Sequence, residues 1–249
     1  MRKSILLICL CLALASCGSS KHMEEKNQKL SKLHYQMGID ALNKNLLPKA
    51  FQELLKADEL KPNQADVEDA LAYAWRLRGN LEKSEKYYKK SLAHSPQTST
   101  QNNYGSLLIQ MKRYKDAETV LRKALQDPGY LNQNLIFLNL GDALLEQGNF
   151  EDAIKAYRQA RRFQPEDLLP QIKEANAYIR FDRLNYARAM YETLLRSNKD
   201  NRFIAEGLLG VLKKQNDRQA ARDMLKTYRQ HARTELDKAW ALDEIEKLR

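Results

Sequence analysis

Histidine, cysteine and acidic side chains are the residues whose chemistry could make this chain an enzyme or a metal protein. The four histidines, His22, His34, His94 and His231, are scattered, and none has a second histidine at a spacing typical of a metal site. The sequence contains no glycine-rich phosphate loop, nucleophile elbow or CxxC pair. We therefore predict no catalytic residue, no metal site and no cofactor, and the sequence favours a binding function over an enzymatic one.

Cysteine chemistry is expected at one position, Cys17. The chain begins with the positive residues Arg2 and Lys3 and continues with an apolar run of ten residues, Ile5–Leu14. That run is too short to span a membrane as a helix, which takes about 20 residues, and it is typical of a secretory signal peptide. The residues Leu14-Ala15-Ser16-Cys17 resemble the bacterial lipobox, in which the cysteine is acylated and becomes the mature N-terminus. We predict a signal peptide over residues 1–16 and lipidation of Cys17.

The remaining cysteines agree with lipidation. Cys9 and Cys11 lie in the segment to be removed, so the mature chain would keep one thiol in an oxidising compartment, and acylation would use it. The alternative is an ordinary signal peptide cut near Ser16, with no role for Cys17. An Asp after the cysteine retains lipoproteins at the inner membrane of enteric-type bacteria, so Gly18 favours a periplasm-facing outer-membrane protein. Residues 17–30 are polar and are predicted to form a flexible tether.

The charge of the chain raises the question of a nucleic-acid partner. The formal net charge is +10, which becomes +8 when Arg2 and Lys3 are removed with the signal peptide. Acidic residues are interleaved with the basic ones, as in residues 112–116 and 213–223, and no long like-charged block follows the signal peptide. The pattern indicates a solvated helical surface, and we expect no nucleic-acid partner.

The chain beyond the tether contains one repeated pattern. Small residues and prolines align six repeats that are 34, 33, 36, 34 and 34 residues apart, with starts at Ser31, Ala65, Thr98, Asn134, Leu168 and Arg202. A period of about 34 residues is that of the tetratricopeptide repeat (TPR), which consists of two antiparallel helices. We number positions within each repeat from these starts.

The residue types at fixed positions support this alignment. The eighth position is small in most repeats: Gly38, Ala72, Gly105, Gly141, Ala175 and Leu209. The twentieth is small in all six: Ala50, Ser84, Ala117, Ala153, Ala187 and Ala221. The twenty-fourth is large: Leu54, Tyr88, Leu121, Tyr157, Tyr191 and Leu225. Small residues opposite large ones let neighbouring helices approach closely. At the twenty-seventh position, alanine or serine in four repeats gives way to Leu194 and Tyr228.

Turn residues fall where the repeat requires them. Gly79-Asn80, Gly148-Asn149 and Asn216-Asp217 lie between the two helices of a repeat, where a left-handed residue ends the first helix. Pro62, Pro96 and Pro165 follow the second helix. Asp127-Pro128-Gly129-Tyr130 predicts a lengthened loop between repeats three and four.

These features predict an all-α fold: a right-handed superhelical TPR solenoid of six helix-turn-helix units over residues 31–232. Residues 233–249 carry apolar residues at near-helical spacing and are predicted to form a C-terminal capping helix.

A TPR solenoid binds partners on the face formed by positions two, five, nine and twelve of each first helix, because these positions share one side of the helix. Leu135 and Leu169 are among the residues at these positions, and apolar residues are frequent there in repeats four and five. Apolar side chains would bury partner residues, while asparagines would bind partner backbone amides. The alternative for each residue is packing against the next repeat. The predicted partner-binding groove comprises Tyr35, Ile39, Leu42, Tyr73, Asn102, Ile109, Leu138, Asp142, Ile172 and Asn176.

Few protein families combine a lipobox with six TPR units. The residues Asn102-Asn103-Tyr104-Gly105, Lys112-Arg113-Tyr114, Asp116-Ala117 and Leu138-Asn139-Leu140-Gly141 closely resemble the PilF/PilW-type pilotins of type IV pilus biogenesis. The resemblance covers essentially the whole mature chain and is weakest in repeats five and six. It implies an outer-membrane lipoprotein that binds subunits of the pilus secretin and promotes their outer-membrane localisation and multimerisation, which twitching motility requires.

The sequence is also compatible with other functions. A TPR lipoprotein that scaffolds outer-membrane protein assembly or peptidoglycan machinery would share this architecture, so the partner could be a pilus secretin or another envelope machine. A periplasmic hydrolase or its regulator is the alternative from another class, but no nucleophile and base pair supports it. The sequence leaves the bound secretin surface, the affinity and the oligomeric state open.

Overall fold

The fold is described by a computed structural model, which covers residues 2–248 and gives side chains from residue 21 onward. The predicted signal peptide and Cys17 lie outside the residues described in side-chain detail. Within the described residues the chain forms thirteen α-helices and no strand. The all-α TPR fold predicted from the repeat period is therefore confirmed.

The helices divide between two compact units, Met1–Met111 and Lys112–Arg249. The first compact unit contains α1 (Arg2–Asn43), α2 (Leu47–Leu60), α3 (Ala65–Leu77), α4 (Leu81–His94) and α5 (Thr98–Gln110). The second contains α6 (Tyr114–Ala124), α7 (Gln133–Glu146), α8 (Phe150–Phe163), α9 (Leu168–Arg180), α10 (Leu184–Ser197), α11 (Arg202–Lys214), α12 (Arg218–His231) and α13 (Glu235–Lys247). The boundary between the compact units lies inside the third repeat.

Small residues at the eighth position allow the two helices of a repeat to touch. A Cβ atom added to Gly38 would lie 2.7 Å from Leu54 Cδ2, and one added to Gly141 would lie 2.4 Å from Tyr157 Cε1. Both distances are far below van der Waals contact. In these repeats the residue at position eight therefore packs directly against position twenty-four, as the sequence predicts.

One residue at the fifteenth position of every repeat adopts the left-handed conformation. The sequence predicts it at Gly79, Gly148 and Asn216, and their φ angles are 84°, 79° and 57°. The structure adds the equivalent residues of the other repeats, Asn45, Lys112 and Asp182. This conformation is unfavourable for a residue with a Cβ, so the reversal between the two helices is dictated by the repeat and not by glycine alone.

Local residue types determine the structure of two segments outside the repeats: the loop between repeats three and four, and residues 21–30. The predicted loop between repeats three and four is present, and the Asp127 carboxylate accepts a hydrogen bond from the Gly129 N–H at 3.0 Å. Residues 21–30, for which a flexible tether is predicted, belong to α1. These residues include no glycine or proline and are mostly exposed, so helix-favouring residue types maintain the helix without a core beneath it.

Each compact unit has its own apolar core. In the first, Leu54, Ala57, Leu71 and Ala74 are buried together between α1, α2 and α3. In the second, a cluster around Tyr191 and Tyr228 extends to Ala241 and Leu248 at the C-terminal end, so α13 packs over the last repeat. Among the described residues, no helix is both long enough and apolar enough to cross a membrane.

Candidate partner-binding faces

The candidate site consists of positions two, five, nine and twelve of the first helix of each repeat, here called the first-helix face. It is carried by α1, α3 and α5 in the first compact unit, and by α7, α9 and α11 in the second. Helical periodicity places these positions on one side of each helix. The burial and bonding of each residue decide what the face can offer a partner.

Aromatic and aliphatic side chains form the first-helix face of the first compact unit. Tyr35, Ile39 and Tyr73 are half-buried and pack against the core between α1, α2 and α3. Burial raises the pKa of Tyr35, and the carboxylates of Asp66 and Asp69 raise it further, so its hydroxyl stays protonated. Leu42 is fully part of this core. The exposed edges of the two tyrosines and Ile39 are what a partner could contact here.

The Arg76 side chain beside this surface is held in place by contacts with two neighbouring residues. The Arg76 guanidinium lies 5.3 Å from the centre of the Tyr73 ring, and it donates a hydrogen bond to Ser106 Oγ at 3.0 Å. On α5, Asn102 is buried and Ile109 is half-buried. Arg76 therefore links the faces of α3 and α5, and Asn102 contributes to packing.

In the second compact unit, two predicted groove residues are fixed by buried tyrosines. Tyr157 donates its hydroxyl proton to Asp142 Oδ1 at 2.8 Å, and the ammonium of Lys173 donates to both oxygens of the same carboxylate. Tyr191 donates in the same way to Asn176 Oδ1 at 2.8 Å. Burial raises the pKa of both tyrosines, that of Tyr191 to about 12. Position nine is thus tied to position twenty-four of its own repeat.

The apolar groove residues predicted at position five are mostly inside the fold. Leu138 and Ile172 are only 5% and 6% exposed. The apolar side chains that reach the surface lie at position two: Leu135 is 43% exposed, Leu169 45% and Phe203 61%. The sequence places Leu135 and Leu169 on this face but assigns the groove to their buried neighbours, and it misses Phe203. The 34-residue interval between these three positions is the signal that identifies them.

Charged side chains elsewhere on these helices form ion pairs. Arg180 on α9 pairs with Glu146 on α7, and Lys213 on α11 donates to Glu244 on α13 at 2.6 Å. Arg202 pairs with Glu206 of its own helix at 2.8 Å. The first-helix face of the second compact unit therefore offers exposed apolar side chains at position two, with paired charges elsewhere on the same helices. Such a surface can bind an apolar segment of another protein.

Comparison with known proteins identifies the repeats. Models of the tetratricopeptide repeat match residues 96–166 and residues 144–209. The chain is 30% identical over 130 residues to the type IV pilus assembly protein PilF of Pseudomonas aeruginosa. The match covers 52% of each chain, so this chain spans about half the length of that relative.

Solved structures agree on the fold. A structure of Pseudomonas aeruginosa PilF superposes with a TM-score of 0.69 at 23% identity, covering 88% of this chain and 99% of that one. PilW, described as a widely conserved type IV pilus biogenesis factor, gives a TM-score of 0.73 at 18% identity, covering 79% and 90%. This chain therefore has the all-α tetratricopeptide-repeat fold, and about half of it is similar in sequence to the type IV pilus assembly protein PilF.

Proposed function

We propose that this protein is a pilotin: an outer-membrane lipoprotein that binds type IV pilus secretin subunits and promotes their outer-membrane localisation and multimerisation. The observation that carries the proposal is the 30% identity over 130 residues to PilF, a type IV pilus assembly protein, in a chain with the TPR fold. The protein acts by binding and not by catalysis.

Acylated Cys17 is the membrane anchor in this proposal, with the repeats facing the periplasm. A single acyl chain binds a membrane only marginally, so the diacylglycerol and further acylation of a lipoprotein are needed for stable attachment. Holding the repeats at the membrane raises their effective concentration for a partner in the same membrane.

The exposed apolar residues of the first-helix face receive the secretin subunit. Leu135, Leu169 and Phe203 would bury apolar partner side chains. The exposed Asn176 uses its Oδ1 atom for Tyr191, which leaves its NH₂ group to donate to a backbone carbonyl of the partner.

The test is a deletion strain complemented with point variants. We expect deletion to abolish heat-resistant secretin multimers and twitching motility, and the wild-type gene to restore both. Leu169→Glu should reduce secretin capture at least about tenfold, because it places a charge where an apolar side chain is buried on binding. The matched control is Leu55→Glu, since Leu55 has the same 45% exposure but lies on α2, the second helix of its repeat.

The possible outcomes test the pilotin function and the position of the secretin-binding surface separately. Normal secretin multimers in the outer membrane of the deletion strain would rule out the pilotin function. If deletion abolishes multimers but Leu169→Glu supports them as well as Leu55→Glu does, the function stands and the binding surface is elsewhere.

A further inference from the structure

A second surface on the C-terminal repeats is built differently from its counterpart one repeat earlier. A cleft of about 440 Å³ lies between α10 and α12, with α11 as its floor. We call it the α10–α12 cleft. It extends from Arg188 on α10 to Lys199 just beyond that helix, which is about 16 Å, or three helical turns, at the rise of an α-helix. This cleft is distinct from the first-helix face.

The equivalent cleft one repeat earlier, between α8 and α10, has a similar volume of about 430 Å³ but carries charged side chains in its floor. Its floor holds the buried carboxylate of Glu174, which accepts a hydrogen bond from Arg158 at 2.6 Å and lies 3.6 Å from Arg161. The basic residues lining that cleft therefore already have their counter-charge.

At a shift of 34 residues, leucines occupy the positions of this ion pair. Leu208 stands where Glu174 is, and Leu195 stands where Arg161 is. Leu212 likewise replaces Tyr178, while Met224 and Tyr228 complete the apolar lining. The cleft also coincides with the two repeats in which position twenty-seven is no longer alanine or serine.

Charge at one end of the α10–α12 cleft is unbalanced. Arg188 pairs with Glu192 at 2.8 Å and with Asp217 at 2.9 Å. Arg196 donates only to Thr193 Oγ1, at 2.9 Å, and Lys199 has no carboxylate within ion-pair distance among residues 21–248. Two cations thus lie at the C-terminal end of α10 beside an apolar floor.

We propose that the α10–α12 cleft binds an amphipathic helix of a protein partner, with about three turns of apolar face and acidic residues at one end. The apolar floor takes side chains spaced three and four residues apart, and the acidic residues pair with Arg196 and Lys199. The cleft is open to solvent along its length, which suits a helix whose polar face stays in water. An alkyl chain in the same place would remain exposed on one side.

The test uses the full chain in phosphatidylcholine nanodiscs, because the chain carries the apolar run Ile5–Leu14. The probe is a fluorescein-labelled 18-residue peptide with leucines on one helical face and two glutamates at one end. A second peptide has lysines in place of the glutamates, and a third scrambles the sequence to destroy the apolar face. Fluorescence anisotropy measures binding, and protein-free nanodiscs correct for peptide that binds lipid.

We expect the glutamate peptide to bind the wild type, and the double variant Arg196→Glu with Lys199→Glu to weaken it roughly tenfold or more. The lysine peptide should regain affinity for that variant. The control double variant, Arg162→Glu with Lys123→Glu, makes the same charge change at exposed positions outside the cleft and should leave binding unchanged. Leu195→Arg, which installs the residue of the α8–α10 cleft, should weaken the glutamate peptide at least about fivefold.

Three results would overturn the proposal. One is equal binding of the glutamate peptide to the wild type and to the Arg196→Glu and Lys199→Glu double variant. Another is equal binding of the scrambled peptide. The third is failure of the glutamate peptide to bind the wild type; if isothermal titration calorimetry then detects binding of dodecanoate, the cleft belongs to an aliphatic carboxylate.

Discussion

At the level of single residues, the repeat depends on a few atoms that meet at fixed positions. Glycine at position eight lies against the ring or branched chain at position twenty-four, as at Gly141 and Tyr157. The hydroxyl of that tyrosine then reaches position nine, one residue further along the first helix. A packing contact and a hydrogen bond thus join the two helices at adjacent places.

Two glycines of the second compact unit should respond in opposite ways to the same substitution. Gly141→Ala should lower the free energy of unfolding by about 1–3 kcal/mol, because the new methyl group would overlap the Tyr157 ring. Gly210→Ala should raise it by about 0.5–1 kcal/mol, because nothing lies within 4 Å and alanine favours a helix interior. Urea denaturation measures both, and a shift of the same sign in both variants would contradict this account.

The sequence predicts which side of a helix a residue occupies better than how deeply it is buried. Leu138 and Leu135 both lie on the first-helix face by periodicity, yet only Leu135 reaches the surface. Depth depends on the helices packed on either side, and a single repeat does not specify them. A glutamate at Leu138 would therefore report on packing, whereas a glutamate at Leu169 reports on binding.

At the level of secondary-structure elements, the helix boundaries follow from the repeat more than from local residue types. Lys112 and Asp182 adopt positive φ at the position that Gly79 and Gly148 occupy in other repeats. Lysine does not indicate a left-handed cap by itself, and aspartate does so only weakly. The 34-residue alignment could have predicted both, because the same reversal must occur in every repeat. In residues 21–30, by contrast, two local properties disagree. Their polarity predicts a flexible tether, whereas their helix propensity predicts the helix that is observed.

Helix α13 should stabilise the end of the second compact unit through Trp240. This side chain makes an edge contact with Tyr228, with ring centres 5.5 Å apart, and the Arg202 guanidinium lies 4.9 Å from the centre of its ring. Trp240→Ala should cost about 1–3 kcal/mol, since the residue is half-buried, and should expose Tyr228.

Hydrogen exchange resolves this effect by element. Amides of α11, α12 and α13 should exchange faster in Trp240→Ala, while those of α1 to α4 keep their rates. Leu242→Ala, at an exposed position of the same helix, is the control and should change little. Unchanged exchange in α11 and α12 would show that α13 does not stabilise them.

At the level of the whole molecule, the predicted outer-membrane location depends on two residues, Cys17 and Gly18. Cys17→Ala should remove acylation and leave the protein in the periplasm, because no lipid then attaches it to the membrane. Secretin would still be bound but misplaced. Gly18→Asp should keep the lipidated protein at the inner membrane. Metabolic labelling with palmitate and membrane fractionation measure both, and an outer-membrane location for Cys17→Ala would contradict the anchor.

The bond between Tyr191 and Asn176 gives the protein an internal reporter. The phenol ring is buried, yet its hydroxyl ends on an exposed side chain of the first-helix face. A partner that engages the Asn176 amide would alter the electron density of the ring without touching it. A fluorine atom placed on the Tyr191 ring would therefore carry an NMR signal that follows occupancy of the face, with no label on the surface where the partner binds.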